Sequence, residues 1–195
     1  MIGFLRGTLA AKRPPWLTLD VAGVGYELEA PMSTFYQLPD VGSPATLVTH
    51  LLVRDDAHVL YGFSSEPERE LFRSLLKVSG IGARIALGVL SGISVEGFWR
   101  CVRDRDVASL TRVPGVGRKT AERLLVEMAD RMPEGLDAGT AAAGGAMGSE
   151  GEAHGALLAL GYKPAEAARM LQDLDASQLS TEDLIREALR RVHRG

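Results

Sequence analysis

A short pattern that occurs twice constrains the fold of this chain more than any other feature. One copy begins at Val78 and the other at Val113, and both have the form Val-x-Gly-x-Gly. Apolar residues recur at helical spacing on both sides of each copy, so each predicts two helices joined by a tight turn. The chain therefore contains an internal repeat of helix, glycine turn and helix.

Glycines determine the chemistry of both turns. Glycine accepts a positive φ at no steric cost, and its missing side chain lets a ligand approach the backbone N–H groups. The second helix starts at this point, so its unpaired N–H donors and its dipole favour an anion such as phosphate. The apolar middle residues, Ile81 and Val116, are predicted to point into the core. The four glycines are Gly80, Gly82, Gly115 and Gly117.

Basic residues follow each turn, Arg84 after the first and Arg118 and Lys119 after the second. This arrangement resembles the helix-hairpin-helix motif, whose contacts to phosphate carry no base code. The alternative is a pair of ordinary helix corners, each with a glycine stop. Nucleotide-binding loops are excluded, because there is no third glycine for a dinucleotide fingerprint and no Gly-Lys-Thr ending for a P-loop.

Charge is distributed unevenly along the sequence. The whole chain of 195 residues has a net charge of −3, yet residues 65–133 carry 12 basic and 9 acidic residues. That segment contains both glycine turns, whereas the segments on either side are net acidic. A basic segment within an acidic chain is typical of a protein that confines nucleic acid to one face.

The same composition predicts a cytoplasmic protein. The one cysteine, Cys101, has no partner for a disulfide, which fits a reducing compartment. There is no apolar run long enough for a transmembrane helix, and residues 1–6 lack the layout of a signal peptide.

Four segments follow from the pattern, and together they predict an α+β multidomain fold. Residues 1–64 contain about five short strand-like runs with glycine kinks, of which Trp16 to Val21 alternates with period two. They predict an OB-type β-barrel, with a turn at Lys12 to Pro15. Residues 65–133 predict the tandem helix-hairpin-helix domain, with Ser65, Ser94 and Asp106 as helix caps. Residues 134–149 predict a flexible linker. Residues 150–195 predict a UBA-like unit of three helices, which has the size of a docking module.

Two adjacent carboxylates, Asp55 and Asp56, lie between the last two predicted strands. A plain hairpin tip would account for them, because aspartate favours turns. In a nucleic-acid binder they have a second interpretation, since paired carboxylates repel phosphates and can keep strands out of one place.

The order of these segments, together with several short motifs, resembles the RuvA family of bacterial Holliday-junction-binding subunits. The resemblance covers the whole chain except the linker. The motifs that carry it are Val24-Gly-Tyr-Glu, Asp55-Asp56 with Leu60-Tyr-Gly-Phe, Pro114-Gly-Val-Gly-Arg-Lys-Thr-Ala-Glu-Arg-Leu, Leu160-Gly-Tyr-Lys-Pro and Leu184-Ile-Arg-Glu-Ala-Leu.

The resemblance implies a homotetramer, or two tetramers stacked face to face, that binds the four arms of a DNA junction on one concave face. It implies that Asp55 and Asp56 match the family's acidic pin, where a glutamate and an aspartate are usual. It also implies recruitment of the RuvB motor ATPase, with the RuvC resolvase as a further partner. The implied DNA-binding residues are Gly80, Gly82, Arg84, Gly115, Gly117, Arg118, Lys119, Thr120 and Arg123. The implied motor-docking candidates are Leu157, Leu160, Tyr162 and Leu189, and the alternative for these four is that they form the core of their own unit.

Two other classes of protein remain to be distinguished. A helix-hairpin-helix nuclease or glycosylase would need a carboxylate cluster, and the nearest pair, Asp104 and Asp106, has the pattern of a charged loop and a helix cap. A protein-interaction scaffold would bind no DNA. We expect no metal, no cofactor and no catalytic site in this chain.

Overall fold

The computed structural model describes residues 2–55, 57–133, 149–172, 174 and 179–192. The chain divides into two compact units, Met1–Ala138 and Gly139–Gly195. The predicted linker, residues 134–149, lies outside the described residues except for Ser149.

A closed β-barrel of five strands occupies the start of the first unit. The strands are β1 (Phe4–Arg13), β2 (Trp16–Val21), β3 (Val24–Glu29), β4 (Pro44–Val53) and β5 (His58–Phe63). Their order around the barrel is β1-β2-β3-β5-β4, and β4 pairs with β1 to close it. A short helix, α1 (Met32–Gln37), connects β3 to β4. This topology confirms the predicted OB-type barrel.

Successive side chains of a strand point to opposite faces, so alternate residues point into the core of the barrel. Leu17 and Leu19 of β2 are buried, as are Ala45 and Leu47 of β4. The predicted turn at the end of β1 was too long, because Lys12 and Arg13 still pair with β2. The turn contains only the two prolines, which lack the N–H group that would continue the ladder.

After the barrel, the described residues of the first unit form five helices, which confirm the predicted tandem hairpins. Three of them begin with a side-chain cap, as predicted: Ser65, Ser94 and Asp106 each accept a backbone N–H of the following helix. The helices are α2 (Glu66–Leu76), α3 (Ala83–Gly92), α4 (Val95–Asp104), α5 (Val107–Thr111) and α6 (Arg118–Ala129).

Helix length bears on membrane insertion. Within the described ranges no single helix is long and apolar enough to cross a membrane. The pair α3 and α4 meets that limit only when both helices are counted, and the two are bent by 97° at their junction.

Barrel and helices share a buried polar contact that fixes their arrangement. The carboxylate of Glu68 on α2, which is 5% exposed, accepts hydrogen bonds from the hydroxyls of Ser33, Thr34 and Ser64. Nearby, the ring of Phe72 packs against the rings of Tyr61 and Phe63. A buried carboxylate with several donors holds its neighbours in one geometry, so the barrel positions the hairpins.

His50 on β4 lies in the same contact region, and its surroundings predict how the free energy of unfolding depends on pH. Burial, with the positive charges of Arg73 and Arg69, lowers the pKa of His50 below its ordinary value of 6.5. Its Nδ1 also accepts a hydrogen bond from Nε of Arg73 at 3.3 Å. The unfolded chain therefore takes up a proton near pH 6.5 that the folded protein takes up only at lower pH.

We expect the free energy of unfolding to fall as the pH drops through 6.5 towards the lowered folded-state pKa. Denaturant titrations between pH 5 and 8 measure it, and His50→Gln should lose this part of the pH dependence while keeping the part due to carboxylates. Identical pH profiles for the two proteins would contradict the prediction.

The described part of the second unit contains three helices around a small apolar core, as predicted. They are α7 (Ser149–Ala159), α8 (Pro164–Leu171) and α9 (Thr181–Val192). Ser180 caps α9 by accepting the N–H of Asp183 at 3.2 Å. The core contains Ala153, Leu157, Ala167, Met170, Leu171, Leu184 and Ala188.

Candidate nucleic-acid interface

The first glycine turn connects α2 to α3 and has the geometry that the sequence predicts. Gly80 has a φ of +82°, which only glycine adopts without strain. The N–H of Ile81 donates to the carbonyl of Val78 at 3.1 Å, and the side chain of Ile81 is 6% exposed. The apolar middle residue therefore anchors the turn, while the neighbouring glycines remain at the surface.

The second turn connects α5 to α6 and repeats this geometry. Gly115 has a φ of +86°, and the N–H of Val116 donates to the carbonyl of Val113 at 3.0 Å. The side chain of Val116 is 4% exposed. Two turns with matching dihedral angles, hydrogen bonds and burial are a true structural repeat.

The helices that follow the two turns, α3 and α6, begin without the side-chain cap that α2, α4 and α5 have. Gly82 and Gly117 are the N-cap residues of α3 and α6, and neither has a side chain that could accept the first N–H groups. A Cβ added at either glycine would have no heavy atom within 4 Å. Both helix starts therefore combine unpaired donors with open space, which suits an incoming anion.

The predicted cations have different surroundings. Arg84 and Lys119 are exposed next to the turns, and Thr120 is half-buried. Arg118 is exposed but forms an ion pair with Glu122, with Nε and Oε1 2.9 Å apart. Such exposed pairs contribute little energy, so a phosphate can displace Glu122.

Arg123 has a partner that the sequence did not predict. Its Nη1 donates to the backbone carbonyl of Ser79 in the other hairpin, at 3.1 Å. The second hairpin therefore contacts the first through this side chain. Local periodicity gives no signal for it, because the two residues are 44 positions apart.

The acidic tip lies at the end of the β4–β5 hairpin. Asp55 is exposed there, and Arg54 donates its N–H to the carbonyl of Ala57 at 2.9 Å across the turn. Asp56 lies outside the described residues. Asp55 therefore presents its charge to solvent at the end of a two-stranded arm.

A cleft of about 830 Å³ lies between the barrel and the first hairpin. Its lining includes Arg54 and Trp16 from the barrel, Gly82 at the start of α3 and Arg84 within α3. Sequence reasoning did not single out Trp16 or Arg54 as site residues, because only the packing of the barrel against α3 brings them to the hairpin.

The four docking candidates in the second unit have unequal exposure. Leu157 is fully buried, which supports the alternative that it belongs to the core. Tyr162 and Leu189 are partly buried and pack against that core. Leu160 is 61% exposed, so it is the candidate best placed to contact a partner.

The fold and the site define a protein with an OB-type barrel, a tandem helix-hairpin-helix domain and a small helical C-terminal unit. Three family models match the chain: "RuvA N terminal domain" at residues 1–62, "SAM-like Helix-hairpin-helix tandem" at 72–130 and "RuvA, C-terminal domain" at 149–193. The chain belongs to the RuvA family.

Relatives of similar length support this assignment. A protein of Nitrosococcus oceani is 58% identical, and the alignment covers 98% of this chain and 100% of the relative. Proteins of Thioalkalivibrio sulfidiphilus and Methylococcus capsulatus are 57% and 55% identical, each over 97% of this chain and 98% of the relative. All three are named "Holliday junction branch migration complex subunit RuvA".

Proposed function

We propose that this protein binds four-way DNA junctions and acts as the junction-binding subunit of a branch-migration complex. The observation that carries the proposal is the pair of matching turns whose following helices start at bare, open glycines. Each turn offers backbone N–H groups to a phosphate, and basic side chains lie beside both. The names of the full-length relatives supply the class of DNA substrate.

Two hairpins in one subunit suit recognition of backbone rather than sequence. Contacts from backbone N–H groups and exposed cations hold phosphates and carry no base information. Binding should therefore depend strongly on salt, because each neutralised phosphate releases counterions. DNA shape, and not base sequence, then decides which molecules are bound.

The acidic tip supplies the selectivity in this proposal. In a homotetramer, or in two stacked tetramers, the Asp55 and Asp56 pairs of all subunits would meet near the crossover. Their repulsion of phosphates would hold the strands apart and favour an open, planar junction. Aspartate is shorter than the glutamate usual in the family's pin by about one methylene, and it keeps the same charge.

Strand movement in this proposal comes from a partner. The protein acts in the cytoplasm as the non-motor subunit and recruits the RuvB ATPase through its C-terminal unit, and RuvC is a further partner. The sequence contains no P-loop, so hydrolysis of ATP is assigned to the motor.

The surroundings of Asp104 and Asp106, the acidic pair nearest to the second hairpin, argue against a nuclease. Asp104 forms an ion pair with Arg103, and Asp106 caps α5 through Ser109. The hydrogen bonds from Ser109 lower the pKa of Asp106. Both carboxylates thus have structural partners, which supports a charged loop and a helix cap rather than a metal site.

A gel-shift titration tests the proposal directly. The protein is titrated against a four-way junction and against linear duplex of the same sequence, at moderate salt with excess competitor duplex. We expect a tight shift of the junction alone and no cleavage after Mg²⁺ is added. Equal affinity for both DNAs would reduce the protein to a general backbone binder, and cleavage would favour the nuclease.

Two leucines of the second unit give a matched prediction for motor docking. Leu160→Ala should weaken binding of RuvB with little change in thermal stability, because its side chain is exposed. Leu157→Ala makes the same chemical change in the core and should cost about 2–5 kcal/mol of stability.

Binding of RuvB to the full-length chain, with thermal unfolding followed in parallel, measures both effects. Unchanged motor binding by Leu160→Ala would remove this residue from the docking surface. Tyr162→Ala, at a partly buried position, shows whether the surface extends to the neighbouring turn.

A further inference from the structure

The contact between Arg123 and the first hairpin joins the two halves of the repeat. Arg123 lies on α6, in the second hairpin, yet its Nη1 donates to the carbonyl of Ser79, 3.1 Å away in the first. The same Nη1 would lie 3.5 Å from a Cβ built on Gly80. The guanidinium therefore packs against the residue whose positive φ forms the turn.

At the equivalent position of the first hairpin, no side chain is present to make the corresponding contact. The residue equivalent to Arg123 is Gly88 on α3, and the residue equivalent to Ser79 is Pro114. A Cβ built on Gly88 would lie 3.6 Å from the carbonyl oxygen of Pro114 and 3.6 Å from Cγ1 of Val113. The second helix of each hairpin thus lies against the turn of the other hairpin. The backbone of α3 comes close to the second turn, whereas α6 contacts the first turn through an arginine side chain.

This asymmetry means that the two turns are held in different ways. Direct packing of α3 holds the second turn, and interiors packed in this way resist displacement. The first turn contacts α6 through the guanidinium, whose planar fork fixes direction as well as distance. Loss of that side chain leaves the carbonyl of Ser79 without this donor.

We propose that Arg123 is a positioning residue that sets the first turn relative to the second hairpin. The spacing between the two sets of N–H groups must match the phosphates of one DNA arm, and Arg123 fixes that spacing. This inference rests on the proposed function. It differs from the sequence-based expectation, in which Arg123 binds DNA directly.

Replacing Arg123 with lysine distinguishes a positioning role from a direct contact with phosphate. Arg123→Lys keeps the positive charge but loses the planar fork, so a phosphate contact would largely survive whereas the geometry at Ser79 would not. We expect junction affinity to fall by about tenfold. The slope of affinity against salt should stay unchanged, because the number of cations near phosphates is the same. Arg100→Lys, the same change at an exposed residue of α4 outside both hairpins, is the control and should leave junction affinity unchanged.

A double-mutant cycle shows which hairpin Arg123 acts through. Gly82→Ala impairs the first hairpin and Gly117→Ala the second, and each is combined with Arg123→Lys. If Arg123 positions the first turn, its effect should be largely absent in the Gly82→Ala background and fully present in the Gly117→Ala background. Amide hydrogen exchange in the free protein should also become faster at Ile81 in Arg123→Lys, because the N–H of Ile81 closes the turn by donating to Val78.

The outcomes distinguish this proposal from the proposed function. A wild-type protein that does not prefer junctions overturns the proposed function itself. The positioning role alone is overturned if the wild type prefers junctions while Arg123→Lys has no more effect than Arg100→Lys, or adds fully to Gly82→Ala. Thermal unfolding of each variant identifies any loss of affinity caused by unfolding.

Discussion

Replacing Gly82 and Gly117 together with alanine should abolish most junction binding while leaving the protein folded. Both residues have negative φ and extended ψ, a conformation that alanine also adopts. A Cβ at either site would have no heavy atom within 4 Å. The new methyl groups would instead occupy the space in which a phosphate approaches the helix start.

The size of the effect follows from the contacts that would be lost. A hydrogen bond to a charged group contributes about 1.5–3 kcal/mol. Since about 1.4 kcal/mol corresponds to a tenfold change in affinity, each blocked hairpin should cost at least about tenfold. The double variant should therefore lose roughly a hundredfold or more in a junction gel shift, if the hairpins contribute independently.

Two comparisons control this experiment. Gly155→Ala makes the same change at a glycine of α7 that also has open space, and it should leave DNA binding unchanged. Gly80 and Gly115 are unsuitable, because their positive φ would strain alanine by about 1–2 kcal/mol and confuse folding with binding. Undiminished junction affinity in folded Gly82→Ala/Gly117→Ala protein would exclude the glycine turns as the phosphate sites.

Neutralising the acidic tip is expected to change selectivity more than affinity. Changing Asp55 and Asp56 to asparagine keeps similar shape and removes the repulsion of phosphates. The junction should still bind through the hairpins, whereas duplex DNA should bind more tightly. The ratio of the two affinities should fall severalfold, and more at low salt, where charges are less screened.

The ratio is measured in parallel titrations of junction and duplex with the wild type and the double variant. Asp40→Asn combined with Glu27→Gln removes two exposed acidic charges elsewhere in the barrel and controls for the change in net charge. If the tip variant kept both its selectivity and its branch-migration rate with RuvB, the acidic-tip hypothesis would be abandoned.

Local sequence determined the elements of this protein and the positions of its turns. The repeat of Gly-x-Gly fixed both hairpins, since positive φ at Gly80 and Gly115 is a property of those residues. Alternation in β2, with further short strand runs and glycine kinks, predicted the barrel, and the caps at Ser65 and Ser94 marked two helix starts. Each of these features depends on neighbours within a few residues, which a sequence displays directly.

Only the tertiary structure decided which partner each side chain has. Arg123 and Arg118 both follow the second turn, yet one donates to Ser79 in the other hairpin and the other pairs with Glu122 on its own helix. Leu157 and Leu160 are three positions apart, and one is buried while the other is exposed. Contacts between distant segments depend on how helices and barrel pack in three dimensions, and periodicity along the chain does not encode them.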